Sequence, residues 1–136
     1  MIFVKGKPRG KGRPRFTARG HIYTDPITRS YENQIAAEYK AQGGEYLGES
    51  AIKIFIEARY KIPASKSKKT RWAMFKDKLF PKKKPDIDNV IKAVFDGLNG
   101  IAWKDDKQIV ELYARKVYSE SEGVLFAVEV KDESTM

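Results

Sequence analysis

The chain has 136 residues, of which 27 are Lys or Arg and 18 are Asp or Glu, so its formal charge at pH 7 is +9. This length and a hydrophobic content of 41% fit one compact domain and exclude a multidomain assembly. The absence of cysteine excludes a disulfide framework, a thiolate nucleophile and a Cys-rich metal centre, and the single histidine excludes a polyhistidine zinc site. Every apolar stretch is far shorter than the ~20 residues of a membrane span. We therefore expect a soluble protein of a reducing compartment.

The first half of the chain predicts a strand, a helix and a second strand. Residues 1–5 form the first strand. Asp25 and Pro26 are typical of a helix N-cap and first position, and the helix ends near Gly43. Its predicted buried side consists of apolar residues four positions apart, Ile27, Tyr31, Ile35 and Tyr39. Residues 52–60 alternate with the period of a strand that has one buried face, formed by Ile52, Ile54, Ile56, Ala58 and Tyr60.

The second half predicts two helices followed by two strands. Residues 65–79 carry apolar side chains at helical spacing, and residues 86–99 place theirs on one helical face before the stop at Gly100. Residues 108–118 and 124–130 read as strands joined by a turn, and residues 131–136 as a frayed tail. The order β-α-β-α-α-β-β predicts an α+β fold: a single domain over residues 1–136 with one mixed β-sheet packed by about three helices.

Positive charge is concentrated in two segments. Residues 5–19 contain seven basic residues and no acid, and residues 61–84 contain ten basic residues and one acid, Asp77. Clustered Lys and Arg favour a polyphosphate ligand, although solvated loops are the alternative for either segment alone. Glycine and proline in residues 6–15 predict an irregular arm that follows a nucleic-acid backbone. The predicted phosphate contacts are Lys7, Arg9, Lys11, Arg13, Arg15, Lys82, Lys83 and Lys84.

Two pairs of acids interrupt this basic surface. Asp86 and Asp88 follow the second basic segment directly, and Asp88 lies only ~40° from Lys92 on the polar side of the predicted helix. Asp105 and Asp106 would join them if the next strand packs beside the start of that helix. Such carboxylates select Mg²⁺ or Mn²⁺, which can activate water against a phosphodiester. Lys92 would then stabilise the developing charge or orient the water.

Each of these features also has a structural interpretation. Asp86 or Asp88 can cap the helix, and the segment around Asp105 and Asp106 can form a polar turn. Lys92 alone is more often a solvated helix residue than a catalyst. Among the other candidates we expect core packing for Trp72, Phe75, Phe95 and Trp103, a surface role for His21, solvation for Asp96 and Asn99, and possible nucleic-acid contacts for Phe16 and Tyr23.

Three segments together resemble the RusA family of endodeoxyribonucleases, which resolve Holliday junctions in bacteria and their phages. They are GKPRGKGRPRFT at residues 6–17, KPDIDNVIKAVFDGLNG at 84–100 and WKDDKQIVE at 103–111. The resemblance implies that the family's acidic cluster corresponds to Asp86, Asp88 and one of the next pair. Asp106 is favoured over Asp105 because the family motif places its ligand second. The family's essential lysine corresponds to Lys92.

The resemblance also implies an activity and an assembly. It implies a RusA-like homodimer with Mg²⁺-dependent sites, with Mn²⁺ as a substitute, that cuts strands of like polarity symmetrically across a four-way junction during recombination and repair. The ends would be 5′-phosphate and 3′-hydroxyl. Separately, the absence of targeting signals together with a DNA substrate predicts a cytoplasmic protein that is bacterial or phage-encoded. Two alternatives stay open at this point: a non-catalytic basic nucleic-acid-binding module, and a nuclease for flaps or plain duplex.

Overall fold

The computed structural model describes residues 1–12 and 15–134, with the side chain of Arg15 left out. Ten elements follow one another along this part of the chain. In chain order they are β1 (Ile2–Lys5), β2 (Arg15–Phe16), β3 (Ile22–Tyr23), α1 (Pro26–Ala41), β4 (Ile52–Lys61), α2 (Lys68–Phe75), α3 (Ile87–Leu98), a 3₁₀ turn (Asp106–Gln108), β5 (Ile109–Ser119) and β6 (Gly123–Val130).

Four of the strands form one mixed sheet in the order β1-β6-β4-β5. β4 pairs with β6 antiparallel and with β5 parallel, and β1 pairs with β6 antiparallel. The parallel pair needs a long crossover, which α2 and α3 supply between β4 and β5. The predicted α+β fold with one mixed sheet is confirmed, whereas the small β2-β3 hairpin was not predicted.

The core lies between one face of the sheet and the helices α1 and α3. The buried side of β4 is the predicted one, from Ile52 to Tyr60 at every second residue. α3 buries Val90, Val94 and Leu98, which recur at the spacing of an amphipathic helix. Its Gly97 lets α1 approach closely, because an added Cβ would lie 3.0 Å from the Cβ of Ile35. None of the helices in the described residues is long and apolar enough to cross a membrane.

The basic arm packs against both helices before the β2-β3 hairpin begins. The amide of Gly12 donates to the Thr28 hydroxyl at 3.1 Å, and the amide of Lys11 donates to the carbonyl of Asn89 at 3.1 Å. At Gly10 an added Cβ would lie 2.8 Å from the Cβ of Asn89. The described part of the arm is therefore irregular, as predicted, but it is held in place by α1 and α3.

The predicted buried sides of α1 and α2 are wrong in part. Ile27 is 60% exposed, and Thr28 is buried in its place because the arm covers that side of the first turn of α1. Trp72 and Phe75 are exposed, since the short helix α2 attaches to the rest of the protein through Met74 instead. Helical spacing was read correctly in both helices, but which side faces the protein depends on contacts from distant segments.

A buried carboxylate stabilises the opposite face of the sheet. Glu57 is 4% exposed and accepts hydrogen bonds from the Nε atoms of Arg59 at 2.7 Å and Arg115 at 2.6 Å. Burial acts to raise the pKa of Glu57, but these two guanidinium groups outweigh it and hold the pKa below 4.5. The ionised carboxylate therefore contributes stability above pH 4.5, and this contribution is lost as the pH falls through the lowered pKa.

The core assignment predicts unequal effects of one substitution at two places in α1. Ile35→Ala should lower the free energy of unfolding by about 2–5 kcal/mol because it leaves a cavity in the core. Ile27→Ala, at an exposed position in the same helix, should change it by less than about 0.5 kcal/mol. Urea unfolding measures both values. Similar losses for the two variants would contradict the orientation of α1.

The Glu57 cluster predicts a pH-dependent loss of stability. Glu57→Gln should lower the free energy of unfolding at pH 7 by about 1–3 kcal/mol, because two guanidinium groups lose a charged acceptor. The deficit relative to the wild type should be constant above pH 4.5 and shrink as the pH falls below that value. Urea unfolding over a series of pH values measures it. A deficit that stays constant down to pH 2 would show that the charge of Glu57 plays no part.

Candidate active site

Asp86 and Asp88 stand at the start of α3. Asp86 occupies the N-cap position, but its side chain accepts no capping hydrogen bond, and Asp88 lies in the first turn. Both residues are exposed, and within the described residues neither side chain forms a hydrogen bond or an ion pair. The alternative that Asp86 caps the helix through its side chain is therefore not what the structure shows. Both carboxylates are available to a ligand.

Tyr60 at the end of β4 fixes the backbone just before Asp86. Its hydroxyl donates to the carbonyl of Pro85 at 2.8 Å, and the residue is buried. Burial raises the pKa of Tyr60 to about 12, and the charge of Asp86 and the nearby Tyr31 act in the same direction. The phenol therefore stays protonated at neutral pH and keeps its donor role. This contact ties the acidic segment to the sheet.

Two lysines gather around the Tyr60 ring beside this segment. The Lys83 ammonium lies 5.9 Å from the Tyr60 ring centroid and 6.0 Å from that of Tyr118. The Lys116 ammonium lies 5.1 Å from the Tyr60 centroid and donates to the backbone carbonyl of Lys83. Both ammonium groups lack an acidic partner in the described chain, so they add positive potential next to Asp86.

Sequence reasoning missed Lys116. Lys116 pairs in register with Ala58, on the side of β5 that faces the helices. A lysine at an inward position of a strand indicates a nearby carbonyl, aromatic ring or anion. Lys92 is exposed and has no partner within the described residues, so it is free to act one helical turn after Asp88.

Asp105 and Asp106 are engaged in local structure. The Asp105 side chain accepts from the amide of Lys107 at 3.0 Å and caps the 3₁₀ turn, while the Gln108 side chain accepts from the Asp105 amide at 2.8 Å. The alternative of a polar turn is confirmed for Asp105. One oxygen of Asp106 accepts from the indole Nε1 of Trp103 at 2.8 Å.

The Asp106 carboxyl is partly buried. Burial raises the pKa of Asp106, and the charges of Asp96 and Asp105 act in the same direction, while the hydrogen bond from Trp103 opposes them. Trp103 is fully buried, so its predicted place in the core is confirmed. The ring centroid of Phe95 lies 6.0 Å from that of Trp103, and this contact supports the same prediction for Phe95. Asp106 is thus tied to the core through Trp103.

The two acidic pairs lie near opposite ends of α3. Asp86 stands next to Tyr60 near the last residue of β4, whereas Asp106 stands directly before β5, which is parallel to β4. Asp96, whose charge acts on Asp106, follows Asp88 by eight residues, or ~12 Å along the helix axis. The described residues therefore do not bring the two pairs together within one chain, and their shared metal site stays a prediction. Among the described residues, no three Asp, Glu or His side chains form a group that could hold a metal ion.

The predicted phosphate contacts divide into free and engaged cations. Five of them are exposed: Lys7, Arg9, Lys82, Lys83 and Lys84. Lys11 instead forms ion pairs with Glu32 in α1 at 2.7 Å and Asp96 in α3 at 3.0 Å. Burial acts to lower the pKa of Lys11, but these two carboxylates raise it above 10.5, so the cation is permanent. Asp96 is therefore ion-paired, not simply solvated as expected. Arg13 lies outside the described residues, as does the side chain of Arg15.

Other predicted surface residues lie where the sequence placed them. His21 is exposed, and its amide donates to the hydroxyl of Thr17 at 3.0 Å. Phe16 and Tyr23 on the β2-β3 hairpin are exposed, and so is Asn99 after α3. The hairpin therefore presents aromatic side chains beside the basic arm.

An α+β domain whose described residues leave carboxylates and lysines unpaired side by side belongs to a class suited to phosphodiester substrates. Comparison with known proteins gives the family. Residues 5–130 match the family described as Endodeoxyribonuclease RusA, so the chain belongs to that family of nucleases. It is also similar to a protein of Bacillus subtilis (strain 168) named Uncharacterized protein YqaN. The two are 36% identical over 126 residues, which cover 89% of each chain.

An ion-paired lysine and an exposed lysine should respond differently to replacement by methionine. Lys11→Met should lower the free energy of unfolding by about 1–3 kcal/mol, because it leaves the carboxylates of Glu32 and Asp96 without their shared cation. Lys82→Met should leave stability within about 0.5 kcal/mol. It should instead reduce the slope of log affinity for DNA against log salt by about one. Thermal unfolding and salt titrations of DNA binding measure these effects. A stable Lys11→Met variant with weakened DNA binding would reverse the assignment.

Proposed function

We propose that this protein is a Mg²⁺-dependent, structure-selective DNA endonuclease that resolves Holliday junctions by paired symmetric nicks during recombination and repair. Membership of the RusA endodeoxyribonuclease family supports nuclease chemistry on branched DNA. The observation that carries the proposal is the pair of carboxylates of Asp86 and Asp88, which have no partner among the described residues and lie between lysines of the second basic segment and Lys92. A simple DNA-binding module gains nothing from unpaired acids on the surface that approaches phosphates.

The donor set at the start of α3 fits a magnesium ion. Mg²⁺ is usually bound through one or two carboxylates, with waters and substrate phosphate oxygens completing its shell. Asp86 and Asp88 supply two carboxylates that no group in the described part of the chain engages, and Mn²⁺ accepts the same donors. When bound, such an ion polarises the phosphodiester and lowers the pKa of a bound water.

The surrounding cations have separate tasks in this proposal. The Lys92 ammonium, one turn beyond Asp88, stabilises negative charge that develops on the phosphate oxygens during cleavage. Lys83 and Lys116 hold the neighbouring backbone phosphate, because both ammonium groups lie around the same tyrosine ring and have no acidic partner in residues 1–12 and 15–134. Lys7, Arg9, Lys82 and Lys84 extend the positive surface, and Lys11 acts mainly through the ion pairs that order the arm. Arg13 and Arg15 stay predicted phosphate contacts.

Asp106 remains the proposed third ligand, with Asp105 as the second choice. Because Asp106 lies near the other end of α3 in this chain, it would reach an ion at Asp86 and Asp88 only after a rearrangement or from a second copy of the protein. We also propose the homodimer that the family resemblance implies, since symmetric nicks in two strands require two sites. Light scattering in solution measures the oligomeric state.

Cleavage of a synthetic four-way junction tests the function. With Mg²⁺ the wild type should give two symmetric nicks, and EDTA should abolish them. Asp88→Asn should reduce cleavage by at least about 10³-fold, because removal of one carboxylate weakens the metal site, while junction affinity stays the same or rises. Denaturing gels measure nicking, and gel shifts measure binding.

A matched variant and two substrates complete this test. Asp132→Asn removes an exposed acid from the C-terminal tail and should leave both nicking and binding unchanged. Loss of binding together with cleavage in Asp88→Asn would indicate a structural role for that residue. Absence of cleavage with any divalent cation would favour the non-catalytic binding module. Faster cleavage of flaps or plain duplex than of junctions would identify a nuclease of different substrate preference.

A further inference from the structure

The outer side of α2 and the segment after it carry exposed aromatic rings that the proposed site does not use. These rings, called the aromatic platform below, belong to Trp72 and Phe75 in α2 and to Phe80 beyond its end. The three residues are 53%, 54% and 51% exposed. The segment attaches to the protein through the buried side chains of Met74 and Pro81. Three large rings therefore remain in contact with water on one short segment, and clustered exposed apolar surface of this kind marks a binding site.

The charge around the platform identifies its ligand as a polyanion. Residues 61–84 contain ten basic residues and one acid. The Lys78 ammonium lies 5.9 Å from the Trp72 ring centroid, and the Lys76 ammonium lies 5.5 Å from the Phe75 centroid. An apolar peptide would cover these rings but would leave the surrounding cations without partners. A nucleotide satisfies both groups, because its base stacks on the ring and its phosphate approaches the ammonium.

We propose that the aromatic platform stacks an unpaired or unstacked base of the DNA substrate. Bases inside a duplex have both faces covered by their neighbours, so an aromatic side chain can stack only on bases at ends, in single strands or at branch points. The platform therefore recognises the branch point itself, which phosphate contacts alone do not distinguish from plain duplex. The branch-point role rests on the proposed function, whereas stacking of an exposed base does not.

The connection from the platform to Asp86 is short and fixed. Residues 81–85 join the two, and Pro81 at the start of this link is buried. The backbone carbonyl of Lys83 accepts from Lys116, and that of Pro85 accepts from Tyr60. Both anchors belong to the sheet, so a base held on the platform has a fixed position relative to the carboxylates. Recognition of the branch point would thus set which phosphodiester reaches Asp86 and Asp88.

Tryptophan fluorescence provides a direct test, because the chain has two tryptophans in different environments. Trp103 is fully buried and hydrogen-bonded to Asp106, whereas Trp72 is exposed. Addition of a single-stranded oligonucleotide in EDTA should quench the wild-type emission, and Trp72→Leu should remove the quenching. The same variant should lose about tenfold in affinity for single strands and four-way junctions and far less for blunt duplex. Trp72→Phe, which keeps an aromatic ring, should retain most of the affinity.

Control variants separate stacking from general apolar or structural effects. Phe75→Leu should weaken single-strand binding in the same direction as Trp72→Leu. Tyr46→Leu removes an aromatic residue that is 58% exposed but lies outside both basic segments, and it should change nothing. Thermal unfolding of the Trp72 variants should match the wild type, since an exposed side chain is altered.

The possible outcomes distinguish this inference from the proposed function. Quenching and ring-dependent single-strand affinity without any junction cleavage would leave the stacking platform in place and remove the nuclease proposal. Normal cleavage with no quenching, and with unchanged affinity in Trp72→Leu, would overturn the stacking platform alone. An equal loss of affinity for duplex and single strands would also overturn it, because duplex interiors offer no free base face.

Discussion

The arrangement of the candidate site depends on burial of the apolar side of α3 between the sheet and α1. Val94 and Leu98 are fully buried, and Gly97 brings α1 close enough for contact with Ile35. Burial of each such side chain is worth about 1.5–3 kcal/mol, which fixes the rotation of the helix about its axis. The polar side of α3 is fixed by the same constraint, so Asp88 and Lys92 face outward one turn apart.

The basic arm also helps to fix α3, through the ammonium group of Lys11, which forms ion pairs within the protein. The Lys11 side chain forms ion pairs with Glu32 of α1 and Asp96 of α3, and its backbone amide donates a hydrogen bond to the carbonyl of Asn89 at the start of α3. Because the three charged side chains are mostly shielded from water, this contact is stronger than an ordinary surface ion pair. A basic segment thus combines a structural cation with exposed cations such as Lys7 and Arg9, and composition alone cannot separate the two.

Local sequence patterns predicted those helices and strands whose apolar periodicity matches their burial in the fold. The alternation in β4 and the apolar side of α3 gave both elements and their buried faces, because periodicity and burial coincide there. The orientation of α2 and the start of α1 depend on distant segments and were wrong. The separation of Asp86 from Asp106 follows from the parallel pairing of β4 with β5, which sequence spacing does not reveal. Lys116 enters the site through the same pairing.

The residues left without partners are the ones that a ligand must satisfy. Glu57, Lys11 and Asp105 each have partners in the fold, so their charges are explained by stability and local structure. The carboxylates of Asp86 and Asp88 have none within the described residues, and burial of polar groups on ligand binding is favourable only when they gain partners. In the proposed function a divalent cation would supply these partners for the acids, and DNA phosphates would supply them for the neighbouring lysines. The exposed rings of the aromatic platform suit a third kind of partner, an apolar face beside a phosphate, which an unstacked base would provide. A branched nucleic acid with its metal ion, as proposed, would meet all three requirements.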